Sequence, residues 1–104
     1  MPLVYSHENN MFRVDGDMLE TFVQGESEQR ILLAWLAVQV FPIGRGYLAV
    51  QIGAAPPHVP LYEALPKAKP ITGRRGTLQL NIRPEEEPAL RQFFGQVAQL
   101  CGRL

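Results

Sequence analysis

A basic run in the second half of the chain is the strongest local candidate for binding chemistry. Lys67, Lys69, Arg74 and Arg75 place four positive charges within nine residues. Clustered ammonium and guanidinium groups attract phosphate, anionic lipid headgroups and acidic protein surfaces. The same charges also suit a solvated loop that keeps the protein soluble, so both interpretations stay open.

Nucleophilic catalysis needs a nucleophile, a base and an orienting group that the fold brings together. Cys101 lies on the apolar stripe of a predicted helix, which favours packing in the core over a reactive thiolate. His58 stands in an irregular stretch where a base could act, but the spacing of the sequence gives it no partner. The sequence therefore predicts a protein that is not an enzyme. A small dimeric α+β enzyme that uses His58 is the alternative.

The sequence shows no cofactor or metal motif. A nucleophile elbow, a phosphate loop and a dinucleotide fingerprint are all absent from it. Glu85, Glu86 and Glu87 are consecutive, so their side chains point in different directions on a helix and do not converge on one ion. Negative charge in a first helical turn is favoured by the helix dipole, which explains these residues better. We therefore expect neither a cofactor nor a metal ion.

Three aromatic residues, Trp35, Tyr47 and Tyr62, are candidates for an interaction surface. Trp35 is the only tryptophan and lies in the apolar run 31–41, where packing in the core is its first interpretation. If that run is one strand, the face that carries Trp35 is apolar on the solvent side of a small sheet. A contiguous apolar face usually has a partner. A homo-oligomer is therefore one hypothesis, and a protein or peptide partner is another.

The composition bounds the class of protein. The chain has 104 residues, 10 basic and 10 acidic side chains, and one cysteine. This length fits one domain, and one cysteine excludes an intramolecular disulfide. Zero net charge argues against a nucleic-acid partner, which usually requires a basic surface. The chain shows no secretory signal and no apolar run of the roughly 20 residues that span a membrane, so a cytoplasmic location is expected.

The neutral total conceals a polarised distribution of charge. Residues 1–30 carry six acidic and two basic side chains, whereas residues 31–83 carry one acidic and six basic side chains. The acidic segment, residues 1–30, includes the sequence Asp15-Gly16-Asp17, and the basic segment, residues 31–83, includes the run 67–75. One small domain therefore carries both an acidic and a basic segment.

The hydrophobic pattern predicts a mostly β protein with one C-terminal α-helix, an α+β class. Asp15-Gly16-Asp17 separates two β-favouring runs, which is a strong hairpin signal. Alternating or continuous apolar residues predict further strands, and spacings of three and four predict the helix. The helix has one apolar stripe, which is predicted to face the core, and Gly95 interrupts the helix where another element could pack close. The stripe consists of Leu90, Phe93, Phe94, Val97, Leu100, Cys101 and Leu104. After an arm at 1–9, a single domain spans 10–104. Its predicted elements are a hairpin over 11–23, strands over 31–41, 47–52 and 77–83, a short extended edge piece over 60–65, and a helix over 84–101.

This order of elements is similar to the pleckstrin-homology (PH) superfold. The local sequences 31–38, 44–50 and 83–90 look like those of short bacterial, particularly actinobacterial, PH-like domains of unassigned function. The resemblance covers about residues 10–102. It implies a strongly bent antiparallel sheet, or partly open barrel, of about seven strands that is capped by the helix.

The resemblance also implies a range of ligands. PH-like domains bind inositol phospholipid headgroups, peptides and other proteins, and the peptide-binding members use a groove between a sheet edge and the C-terminal helix. Lipid-binding members usually carry lysine and arginine in the first hairpin loop, whereas Asp15-Gly16-Asp17 is acidic. The expected function is therefore a non-catalytic binding or assembly module for a protein or peptide. Weak binding to an anionic membrane surface or a phosphate through residues 67–75 is the alternative.

Overall fold

A computed structural model describes residues 3–8, 10–23, 29–56, 58–67 and 78–103 of the chain. Within these residues the protein is mostly β with a single C-terminal helix, so the predicted α+β class is confirmed. The elements are β1 (Val4–His7), β2 (Asn10–Asp15), β3 (Met18–Val23), β4 (Gln29–Leu32), β5 (Leu36–Pro42), β6 (Leu48–Ala54), β7 (Tyr62–Ala64), β8 (Leu78–Ile82) and α1 (Glu87–Leu100).

The first sheet is an antiparallel meander in the order β1-β2-β3-β4. The predicted hairpin joins β2 to β3, and Asp15 pairs with Met18 across a two-residue turn. Gly16 occupies the first turn position with a φ of 63°, a conformation that costs other residues backbone strain. The two aspartates that flank Gly16 are therefore held at the tip of a tight turn. Residues 4–7 of the predicted arm form the edge strand β1.

The prediction of one strand over residues 31–41 is wrong, because a turn interrupts it. Trp35 N–H donates to the Leu32 carbonyl at 2.9 Å, and β5 begins only at the next residue. The two halves belong to different sheets, since β4 pairs with β3 whereas β5 pairs with β6. The residues before, within and after this turn are mostly apolar, so the local hydrophobic pattern does not show where one strand ends and the next begins.

The second sheet has the order β7-β5-β6-β8. β7 confirms the short edge strand that was expected within 60–65, but it pairs with β5 in parallel. Where the resemblance implies one bent antiparallel sheet of about seven strands, the described residues contain eight strands in two sheets that do not close into a barrel. Local periodicity predicts that a strand exists, whereas its direction and partner depend on long-range pairing.

The main hydrophobic core of the described residues lies between the two sheets and α1. Phe12 from the first sheet, Ile52 from the second and Phe94 from the helix are all fully buried in the same cluster. β8 alternates as predicted, with Leu78, Leu80 and Ile82 inside and the residues between them exposed. The apolar stripe of α1 therefore covers both sheets, and this packing fixes where each end of the helix lies.

The helix ends in a Schellman motif. Gly102 has a φ of 73°, its N–H donates to the Gln99 carbonyl, and the Arg103 N–H donates to the Ala98 carbonyl. These bonds satisfy carbonyl groups that the last helical turn would otherwise leave free. Within the described residues, no helix is long and apolar enough to cross a membrane.

Candidate functional site

The basic run lies mostly outside the described residues. Lys67 is exposed, immediately after β7 and the bend that follows it. Lys69, Arg74 and Arg75 lie outside the described residues, so the geometry of the four cations stays a prediction. The structure thus gives an exposed position to one member of the candidate anion-binding set.

The three candidate aromatic residues lie at different places. Trp35 is exposed at the turn between β4 and β5, so the interpretation of this side chain as core is wrong. Tyr47 is exposed just before β6. Tyr62 is half-buried in β7, where its ring stacks on Phe94 at 6.1 Å between ring centroids. The structure therefore places two of them in contact with solvent, and the third against the core.

The two histidines have opposite surroundings. His58, the candidate base, is exposed and has no hydrogen bond or ion pair to any described residue. The side chain of His7 is only 9% exposed, and its Nε2 lies 2.5 Å from Glu86 Oε2. Glu86 also accepts a hydrogen bond from the Arg83 backbone N–H, and this bond together with His7 lowers the pKa of its carboxyl. The histidine that faces a carboxylate is thus the one that joins β1 to the start of the helix.

Glu87 holds the helix against the edge strand β7. It is buried and accepts a hydrogen bond from the Tyr62 hydroxyl and two from Arg91, at 2.9 and 2.6 Å. Burial of the phenol and its bond to Glu87 raise the pKa of Tyr62 far above its ordinary value. Glu86 therefore caps the start of the helical segment, as its place in the first turn suggested, whereas the contacts of Glu87 with Tyr62 and Arg91 were not predicted. Within the described part of the chain, no three acidic, histidine or cysteine side chains form a metal-binding group.

A concave surface of the described residues lies between the β2–β3 turn and the C-terminal end of α1. We call it the hairpin–helix groove; it consists of two adjoining cavities of about 500 and 400 Å³ that share Gly16 and Leu100. Its apolar lining is Leu3, Val14, Leu33, Ala34, Leu100 and Cys101. Its polar lining is Asp15, Asp17, Gln96, Gln99 and Arg103.

Leu100 projects into this groove and is 61% exposed. The sequence placed it on the buried stripe of the helix, which is wrong: the stripe is buried at Phe94 and Val97, and Leu100 lies at its edge in the last turn. Cys101 is half-buried and packs against the core, as expected. The apolar stripe of α1 therefore extends past the residues that pack against the sheets, and its last turn is exposed to solvent.

Hydrogen bonds to main-chain carbonyl groups hold the walls of the groove in place. Leu33 N–H donates to the Asp17 carbonyl at 2.8 Å, and Val14 N–H donates to the Leu3 carbonyl at 2.9 Å. The guanidinium of Arg103 donates to the carbonyl groups of Leu33, Leu36 and Val59, at 2.7, 2.7 and 2.8 Å. The hairpin turn, the β4–β5 turn and the helix end are thus connected, so the groove is formed before any partner arrives.

A smaller concavity of about 260 Å³ lies on the other side of the helix, between α1 and β7. We call it the helix–strand groove, and its lining includes Tyr62, Arg91, Phe94 and Gly95. Sequence reasoning took Gly95 as a place where another element packs close. A Cβ atom added at Gly95 would meet no atom of another element within 4 Å in the described structure. This groove corresponds to the sheet edge beside the helix that the resemblance implies as a peptide site.

Sequence reasoning identified the acidic turn but not the groove that it borders. Arg103 and Leu100 were missed as site residues because their roles depend on contacts with residues far along the chain. An apolar side chain in the last turn of the helical stripe, two residues before a C-terminal glycine, was the available signal. Comparisons of this chain with protein-family models, with curated proteins and with solved structures find no match.

Proposed function

We propose that this protein is a non-catalytic module that binds a segment of another protein, or a peptide, in the hairpin–helix groove. The observation that carries the proposal is the exposure of Leu100, 61%, beside an apolar floor whose walls are already hydrogen-bonded together. Covering a leucine side chain contributes about 1.5–3 kcal/mol. A preformed groove also lowers the entropic cost of binding, because its side chains are already ordered.

The element order supports a PH-like relationship as part of this proposal. The support is the order along the chain: short strands come first and a single C-terminal helix follows them, as the resemblance implies. The division into two sheets is not part of what the resemblance implies. The acidic turn at Asp15 and Asp17 argues for a protein ligand over a phosphoinositide, because it would repel a phosphate. A cytoplasmic site of action completes the proposal, and the presence of a single cysteine is consistent with it.

The test is selection from a random peptide library on the immobilised protein, followed by anisotropy titration of the enriched peptides. We expect Leu100→Glu to weaken binding at least tenfold, because it places a charge on the apolar floor. Gln92→Glu is the matched control, because Gln92 is exposed on the same helix and the substitution introduces the same charge outside the groove lining. It should change the Kd less than twofold. Equal affinities of the wild type and Leu100→Glu would contradict the proposal.

A further inference from the structure

The rim of the hairpin–helix groove is negatively charged. Asp15 and Asp17 are exposed on either side of Gly16, and neither carboxylate has an ion-pair partner among the described residues. The opposite wall is the C-terminal end of α1, where the helix dipole adds a partial negative charge. Both contributions face whatever occupies the groove.

The cation in the described lining does not neutralise this rim. Arg103 bonds three main-chain carbonyl groups with its guanidinium, and it makes no ion pair with a described carboxylate. Its donors therefore point towards the backbone of Leu33, Leu36 and Val59. The carboxylates of Asp15 and Asp17 stay available to a ligand.

An occupant that fills an apolar groove removes water from the carboxylates at its rim. A carboxylate that loses water without gaining a counter-charge is destabilising. An acidic occupant would add repulsion, whereas a basic one would compensate for the lost hydration and would also associate faster. The same argument disfavours an anionic lipid headgroup at this site.

We propose that the natural occupant is a cationic amphipathic segment of a partner protein. Its apolar side chains contact Leu100 and the floor of the groove, and its lysine or arginine side chains contact Asp15 and Asp17. This inference rests on the proposed function, since it names the chemistry of the partner for the same groove.

The experiment uses the enriched library peptides and the full chain. We expect an excess of lysine and arginine in the enriched pool relative to the starting library. We expect Asp15→Asn/Asp17→Asn to raise the Kd of these peptides about three- to tenfold at 50 mM NaCl. This difference should largely disappear at 500 mM NaCl, because salt screens exposed charges. The matched control, Glu63→Gln/Glu85→Gln, removes two carboxylates outside the groove lining and should change the Kd less than twofold.

The outcomes separate this inference from the proposed function. The inference is overturned, and the proposed function stands, if binding requires Leu100 but the peptides have no excess of lysine and arginine. The same holds if their Kd is unchanged in Asp15→Asn/Asp17→Asn. A Kd that is unchanged in Leu100→Glu, or a library that yields no binder, overturns both. Self-association in light scattering that is abolished by Asp15→Asn/Asp17→Asn shows that the occupant is a second copy, and it overturns the inference. Sedimentation with phosphatidylserine vesicles that requires Leu100 also overturns it.

Discussion

Arg103 connects three segments of the chain at the base of the candidate site. Its planar guanidinium donates to carbonyl groups from the β4–β5 turn, from the first residue of β5 and from the loop before β7. A charged donor contributes more to stability than a neutral one, and its removal leaves several acceptors without a partner. The fork of donors is specific to arginine, because an ammonium group is a single point of charge.

We therefore predict that Arg103→Met lowers the free energy of unfolding by about 2–4 kcal/mol. Arg103→Lys should fall between this variant and the wild type, since lysine keeps the charge but does not reach all three acceptors together. Urea denaturation at neutral pH measures both. Arg91→Met, which removes an exposed partner of Glu87, is the comparison and should cost less. A loss below about 0.5 kcal/mol in Arg103→Met would show that water replaces these bonds without cost.

Individual residues differ in how far their roles could be predicted. Gly16 and its flanking aspartates were predicted as a turn because a tight hairpin leaves few choices of residue, and the turn occurs at these residues. Trp35 and Leu100 were assigned to the core because both continue an apolar pattern. Their exposure depends on where the two sheets end, which neighbouring residues do not encode.

At the scale of elements, α1 borders two grooves, and each is a candidate binding site. The helix–strand groove contains Gly95, a residue that weakens a helix interior by about 1 kcal/mol relative to alanine. The hairpin–helix groove is larger and contains the most exposed large apolar side chain of the described residues. The two grooves share Arg103 but no other described lining residue.

Gly95→Ala distinguishes the two grooves. The added methyl group meets no neighbouring atom within 4 Å, so we predict that the free energy of unfolding rises by about 0.5–1 kcal/mol. Thermal or urea unfolding measures this gain. Peptide binding should stay within twofold of the wild type, because Gly95 lies outside the hairpin–helix groove. A loss of affinity above fivefold in this stabilised variant would assign the peptide to the helix–strand groove.

Elements with a strong local signal were predictable, and long-range arrangements were not. β8 and α1 have regular apolar spacing over their whole length, and both occur where expected. The division of residues 31–41 into β4 and β5 was not predicted, and neither was the parallel pairing of β7. Both depend on which strands pair in the folded protein. The alternation of apolar residues is the same whichever partner a strand has and whichever direction it runs.

On the scale of the whole molecule, acidic and basic side chains lie in different segments of the chain. The acidic segment, residues 1–30, contributes the hairpin rim of the groove, and the basic run at 67–75 follows β7 in the chain. The candidate site combines turns from the first sheet, the crossing between sheets and the end of the helix. It therefore exists only in the folded protein, which is why no single motif in the sequence indicates it.

The central claim is that a partner segment binds in the hairpin–helix groove. The most direct measurement is a two-dimensional NMR titration of the isotopically labelled protein with an enriched library peptide. We predict that the largest shifts of backbone amide resonances fall at residues 14–17, 33–35 and 99–103. Shifts confined to residues 62–64 and 91–95, with those three segments unchanged, would contradict the claim.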